Sequence, residues 1–281
     1  MKIGILETGE VHPDLAARHG DYPTMFARLL GAVDPSLEFA TVRVVAGETP
    51  AAPSQADAWL VTGSRHGVYD GLPWIAPLEA FLRDCVAGRV PVVGICFGHQ
   101  ILAEALGGKV VKSDRGWGLG VQDYEVIARP GWMDAVPDHF SVNALHQDQI
   151  VELPAGATVL ARSAHCDYAA LAYGDPEDPD AVTLQPHPEF GPAFMDELLE
   201  LRGGTAFPKA DADAARATLA RDVHAEAWAR MIVGFLRRAE AARAEPAHTG
   251  ATQAASTRVE SAATDSTPTD STPANAAPAK A

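Results

Sequence analysis

Residues 90–100, Val-Pro-Val-Val-Gly-Ile-Cys-Phe-Gly-His-Gln, constrain this 281-residue chain more tightly than any other stretch. Val90, Val92, Val93 and Ile95 form an apolar run that predicts a short buried strand, and the segment from Gly98 onward predicts a helix leaving it. Cys96 stands between Gly94 and Gly98 at the spacing of a strand-to-helix elbow. Glycines there remove the side chains that would collide where strand and helix cross, so the residue between them is held in strained geometry and pushed into the open. A thiol at that place also lies at a helix N-terminus, whose N–H groups and dipole favour the thiolate. The competing account makes Cys96 a small buried hydrophobe, the usual fate of a free cysteine. The elbow spacing weighs against it.

A cysteine nucleophile needs a base, and the base needs a group to orient it. Among ten histidines, His187 has the most suggestive setting. The run from Ala181 begins as a strand, and Pro186 and Pro188 hold His187 extended as that strand ends. Residues two apart in an extended segment point the same way, so the Glu189 carboxylate can approach the imidazole, fix its tautomer and stabilise its cation. Alone, His-Pro-Glu is also an ordinary loop sequence. Joined to the elbow it takes on a chemical reading.

The two signatures together resemble the class I glutamine amidotransferase domains of the GMP-synthase-like type, in which G-x-C-x-G-x-Q is followed later by H-P-E. The resemblance covers residues 1 to about 240. It implies Cys96 as nucleophile, His187 as base and Glu189 as its orienter, with Gln100 lining the glutamine pocket and the Phe97 backbone N–H forming half of an oxyanion hole. The other half is implied after an earlier strand, where Gly63 and Ser64 match the family's G-G-P-x-S loop but the proline is missing. A plain strand-ending turn also accounts for Gly-Ser. Against that, the ligand crevice of an open parallel sheet lies outside the carboxyl ends of its strands, where both loops fall. The stretch from Arg65 to Asp70 makes Tyr69 a candidate pocket residue, as a wall for the leaving group or as part of a solvated turn. Residues 144–154 are similar to the family's H-x-D-x-V…L-P segment and make His146 and Asp148 further candidates, pocket-facing or merely structural. The resemblance implies a flavodoxin-like fold, a glutamyl-thioester mechanism and no metal or organic cofactor.

Strand patterns near 2–6, 38–45, 57–62, 90–95, 108–112 and 119–128 alternate in part with helical ones near 22–33, 74–87 and 98–107. That order predicts an α/β fold, a doubly wound, mostly parallel sheet flanked by helices. Strand-like runs near 140–145, 157–162, 168–173 and 181–186 are too close together for crossover helices and predict a small antiparallel layer beside it. After Phe190 a short helix and a long one are expected, with Leu219, Val223, Trp228, Met231, Ile232, Phe235 and Leu236 as a core-facing stripe. The composition then shifts, which predicts one domain over residues 1–243 and a disordered Ala/Thr/Ser/Pro-rich tail over 244–281.

A formal charge of −15 argues against nucleic acid and anionic membrane surfaces as partners. The start reads as a strand rather than a signal peptide, no run is long enough to span a bilayer, and Cys85, Cys96 and Cys166 show neither metal-ligand spacing nor a disulfide framework. A cytoplasmic protein is expected. The reading that results is a cysteine hydrolase of the γ-amide of glutamine or of a γ-glutamyl compound, a small-molecule substrate. A second reading is a glutaminase subunit passing ammonia to a separate synthetase, since no S-G-G-x-D-S nucleotide loop occurs in these residues. A third, a non-catalytic binding protein on the same fold, leaves Cys96, His187 and Glu189 without a purpose.

Overall fold

Strands that are apolar at every position must be covered on both faces, and the centre of this protein is built from such strands. The computed structural model describes residues 1–244; of the tail expected over 244–281, Ala244 ends the last helix and the rest lies outside the described residues. In chain order the elements are β1 (Lys2–Leu6), α1 (Pro13–His19), α2 (Tyr22–Val33), β2 (Glu38–Val42), β3 (Ala58–Val61), α3 (Ile75–Ala87), β4 (Val92–Ile95), α4 (Phe97–Ala105), β5 (Lys109–Lys112), β6 (Gly118–Val126) and β7 (His139–His146). They continue as β8 (Asp148–Glu152), β9 (Ala157–Arg162), β10 (Ala170–Asp175), β11 (Asp178–Leu184), α5 (Pro192–Arg202), α6 (Lys209–Arg216) and α7 (Ala225–Ala244).

Nine strands form one sheet in the order β2-β1-β3-β4-β11-β10-β9-β6-β7, and β5 pairs with β8 in a separate ribbon. The pairings from β2 through β4 to β11 are parallel and those from β11 to β7 antiparallel. The runs expected to form an antiparallel layer beside the main sheet thus extend it edge to edge. Short connections allow no crossover helix, so β9, β10 and β11 pair antiparallel in succession, while β6 stands between β7 and β9. The last of them, β11, returns to the middle and pairs parallel to β4.

Helices cover the two faces. Phe26 and Leu30 of α2 and Trp228, Ile232 and Phe235 of α7 pack with Ile3, Ile5 and Leu60 on one side. On the other side Leu78 and Leu82 of α3 and Ile101 of α4 pack with Leu6, Trp59 and Val61. The alternation within β1 follows the two-residue period of a strand, and each such large side chain stabilises the fold by about 1.5–3 kcal/mol when fully buried. Gly4 is small for a packing reason, since a Cβ there would lie 2.2 Å from the Trp59 ring. A third apolar cluster joins α1, α5 and α6 through Leu15, Phe194, Leu198 and Ala212, with Phe207 from the segment before α6. The long terminal helix starts at Ala225, so Leu219 and Val223 precede it, and two helices, α5 and α6, stand where one short helix was expected. Among the described residues no helix is long and apolar enough to cross a membrane.

Candidate active site

Strand order brings the proposed chemistry to one edge. The neighbours β3, β4 and β11 run parallel, with Val61 opposite Gly94 and Leu184 opposite Ile95, so Gly63, Cys96 and His187 leave the sheet from three adjacent carboxyl ends. Cys96 has φ 53° and ψ −100°, a conformation costing an L-residue about 1–3 kcal/mol, and directly precedes α4. The flanking glycines make the turn sterically feasible. A Cβ at Gly94 would sit 2.4 Å from the Gly98 carbonyl oxygen, and one at Gly98 would sit 2.4 Å from that of Val61. The Cys96 N–H donates to Leu184 O at 2.8 Å, which ties the elbow to β11.

His187 is fixed by its backbone and its ring. Its N–H donates to Asn143 O on β7 at 2.8 Å, and Asn143 Nδ2 donates to Phe190 O at 2.8 Å. The imidazole stacks on Phe190 with centroids 4.0 Å apart, and Nδ1 lies 2.7 Å from Glu189 Oε1. A carboxylate can only accept, so Nδ1 carries the proton in that bond and Nε2 is free to face the sulfur. Burial works against a charged His187, yet the charges of Glu189 and Cys96 and hydrogen bonds to both outweigh it and push its pKa up to about 10. A Cβ at Gly63 would lie 2.9 Å from His187 Cε1 and 3.7 Å from Cys96 Cβ, so this glycine's backbone closes on both residues. Thr8 holds it there: its N–H donates to Thr62 Oγ1 at 3.0 Å and its hydroxyl donates to Thr62 O at 2.9 Å. Among the described residues the N–H groups of Gly63 and Phe97 have no hydrogen-bond acceptor.

Gly63, Ser64, Tyr69, Cys96, Gln100, His146, Asp148 and His187 all line one cleft of about 360 Å³. Larger hollows, of about 590 Å³ beside β6 and β7 and about 650 Å³ between α2 and α7, do not reach the sulfur. Glu189 stands behind His187, and the Phe97 side chain is buried in the core against Trp74, leaving only its backbone near the cleft. Gln100 spends its amide N–H groups inside the protein, on Asp148 O at 2.9 Å and Gln185 Oε1 at 3.1 Å. Ser64 Oγ accepts the His66 N–H at 3.2 Å. The Tyr69 hydroxyl donates to Asp148 Oδ2 at 2.8 Å, so the lengthened loop reaches across to the start of β8. Asp148 is raised by burial, opposed by the Tyr69 hydrogen bond. His146, with Nδ1 3.3 Å from Asp148 O, is pushed down to about 3 by burial and then by His165, which keeps it neutral.

A sequence profile of the class-I glutamine amidotransferase family matches residues 40–200, more than half of the chain. The chain belongs to this family. Among curated relatives it is 26% identical to gamma-glutamyl peptidase 4 of Arabidopsis thaliana, over 78% of this chain and 89% of that protein. It is 32% identical to a glutamine-hydrolyzing GMP synthase subunit of Methanothrix thermoacetophila, over 57% of this chain and 84% of that one. The fold matches a glutamine amidotransferase from Thermotoga maritima with TM-score 0.66 at 21% identity, covering 85% of this chain and 97% of the other.

This amidotransferase-family cleft also holds residues that the sequence did not point to. Tyr22, Lys112, Trp117, Phe190, Arg202 and Phe207 all line it, contributed by two helices, the end of β5 and loops. Helical periodicity in α2 was legible, but it does not tell which way the first residue of a helix points. Asp21, whose side chain accepts the Thr24 N–H at 2.8 Å as helix cap, was the available local signal that Tyr22 stands at a helix mouth. Among the described residues no group of three or more His, Cys, Asp or Glu side chains is placed to hold a metal ion.

Proposed function

We propose that this chain hydrolyses the amide of γ-glutamyl compounds through a glutamyl thioester on Cys96. The observation that supports it most is the combination of a left-handed cysteine elbow with an imidazole held 2.7 Å from a carboxylate on the neighbouring strand end. An imidazolium beside a sulfur favours the thiolate, the nucleophilic form. In this reading Cys96 Sγ attacks the γ-carbonyl carbon, and the developing oxyanion accepts hydrogen bonds from the free N–H groups of Gly63 and Phe97. The C–N bond then breaks as the His187 cation gives its proton to the departing amine. Neutral His187 next takes a proton from water, the hydroxide adds to the thioester, and the C–S bond breaks to release glutamate and regenerate the Cys96–His187 pair.

The test is glutamate release from γ-glutamyl amino acids and from glutamine. Cys96→Ala is expected to abolish it with a thermal midpoint close to wild type, because removing one sulfur from an elbow changes little packing. Undiminished release by that variant would overturn the mechanism. A second reading, ammonia supply to a separate synthetase, is favoured by the likeness to glutamine-hydrolyzing GMP synthase subunits. It predicts negligible turnover of every γ-glutamyl compound until such a partner is added.

A further inference from the structure

Among the described residues of this acidic protein, most basic side chains are ion-paired or hydrogen-bonded. On α5 and α6, Arg216 pairs with Asp196 at 2.7 Å, and elsewhere Arg115 pairs with Asp167 at 2.8 Å. Among the described Lys and Arg residues, only Lys2, Arg65, Lys112 and Arg202 have side chains with neither an ion pair nor a hydrogen bond. Three of these four line the cleft around Cys96. Unused positive charge concentrated there is the pattern of a site for an anion.

The three cations fall into two places. Lys112 acts on the Asp148 carboxylate, and Asp70 lines the same end of the cleft, so acidic groups stand beside it. Arg65 and Arg202 instead both act on the phenol of Tyr22. The Tyr22 hydroxyl makes no hydrogen bond among the described residues, and burial, followed by the charge of Glu189, raises its pKa and keeps it a donor. Glu189 and, after it, Cys96 are the groups opposing those cations at the phenol, and Glu189 is engaged with His187. An unpartnered phenol and two unpartnered guanidinium groups share this cleft, and all three can donate. Such a set matches a carboxylate, which accepts several hydrogen bonds at once.

Position indicates which carboxylate. Tyr22 stacks on Phe190 at 5.8 Å between centroids, and Phe190 stacks on His187 at 4.0 Å, so two ring spacings separate the phenol from the imidazole. The two steps end to end are the upper limit of that separation, so a carboxylate one to three residues beyond the scissile bond, at about 3.5 Å each, falls within reach. The Trp117 and Phe207 rings, packed edge to face at 5.3 Å, line the same cleft and offer an apolar surface for a side chain.

We infer that Tyr22, Arg65 and Arg202 form a carboxylate clamp for the amine half of the substrate, which makes the preferred compounds γ-glutamyl amino acids or short γ-glutamyl peptides with a free carboxylate. This rests on the γ-glutamyl hydrolase reading and goes further by naming the substrate class and the residues that select it. Free glutamine leaves the clamp empty, as does a γ-glutamyl amine.

The experiment compares γ-glutamyl-alanine with γ-glutamyl-alaninamide, near isosteres that differ in one charge, alongside free glutamine. Wild type is expected to prefer the acid in kcat/KM by about 10- to 100-fold, the scale of a lost charge-assisted hydrogen-bond set. Arg65→Gln and Arg202→Gln should each pull that ratio toward one, Tyr22→Phe should lower it less, and Arg202→Lys should restore part of it. Thermal midpoints establish that each variant is folded. Equal kcat/KM for acid and amide in wild type overturns the clamp. So does a loss from Arg202→Gln that is equal on glutamine and on γ-glutamyl-alanine, since the arginine would then serve the carboxylate that both share. Calorimetry on Cys96→Ala separates recognition from chemistry. Tighter binding of the acid without wild-type turnover would sink the hydrolase reading and keep the clamp, whereas turnover with equal affinities would sink the clamp alone.

Discussion

The Glu189 carboxylate illustrates how much one buried residue is asked to do. Oε1 accepts the proton-bearing Nδ1 of His187, while Oε2 has no partner among the described residues. A carboxylate with half its acceptor capacity unused stays buried because the imidazolium beside it supplies compensating charge. Glu189→Gln removes that charge and can present an amide N–H to Nδ1, stabilising the wrong tautomer. We expect kcat to fall about 10²- to 10⁴-fold with KM changed by no more than a few-fold. Wild-type kinetics in that variant would show that another group orients His187. The pairing was legible because His187 and Glu189 are two apart in an extended segment, a relation set by local backbone geometry. Asn143, which holds the His187 backbone at 2.8 Å, lies 44 positions upstream and carries no local mark of that contact.

At the scale of elements, the crossing of β4 and α4 over β3 determines where Cys96 stands. Gly98 is packed against the backbone of β3, where nothing flexible can yield. Gly98→Ala should therefore move the elbow, destabilise the fold by about 1–3 kcal/mol and cut glutamate release steeply. Denaturation midpoints and turnover on the same preparation check both effects, and an unchanged midpoint would mean that the helix slides at no cost. The loop after β3 behaves differently, since Tyr69 is half exposed and anchored by its bond to Asp148. If it walls the leaving-group side, Tyr69→Ala lowers kcat/KM on γ-glutamyl compounds with a bulky amine half more than on glutamine. Equal losses would make Tyr69 a support for the loop.

For the whole molecule, buried histidines set the response to acid. His99, wholly buried with Nδ1 2.8 Å from Thr183 Oγ1, is pushed down to about 3 by burial, as His146 is. Below a pH of about 6.5 the unfolded chain binds protons at these two sites that the folded chain refuses, so stability falls as the pH drops from there toward 3. Their contribution is fully present at pH 7 and above. Thermal midpoints measured between pH 7 and 4 should fall, and His99→Gln should make that fall shallower, because one of the two refused protons no longer exists. A slope unchanged by the substitution would place the acid sensitivity in the carboxylates instead.

The sequence by itself determined the local geometry of the chemistry: an elbow needs its glycines at fixed spacing, and a histidine and a glutamate two apart in an extended segment meet without help from elsewhere. It also marked the parallel half of the sheet, since wholly apolar strands alternating with amphipathic helices have few other ways to bury both faces. Only the tertiary structure decided that the later strands continue this sheet and that β11 turns back to pair with β4, because hydrogen-bonding partners are chosen among strands of similar pattern by packing and chain connection. It alone decided that Tyr22, Arg65 and Arg202 share one cleft. They belong to two helices and a loop scattered over 180 positions, and a charge carries no mark in the sequence of which other charges the fold will leave it without.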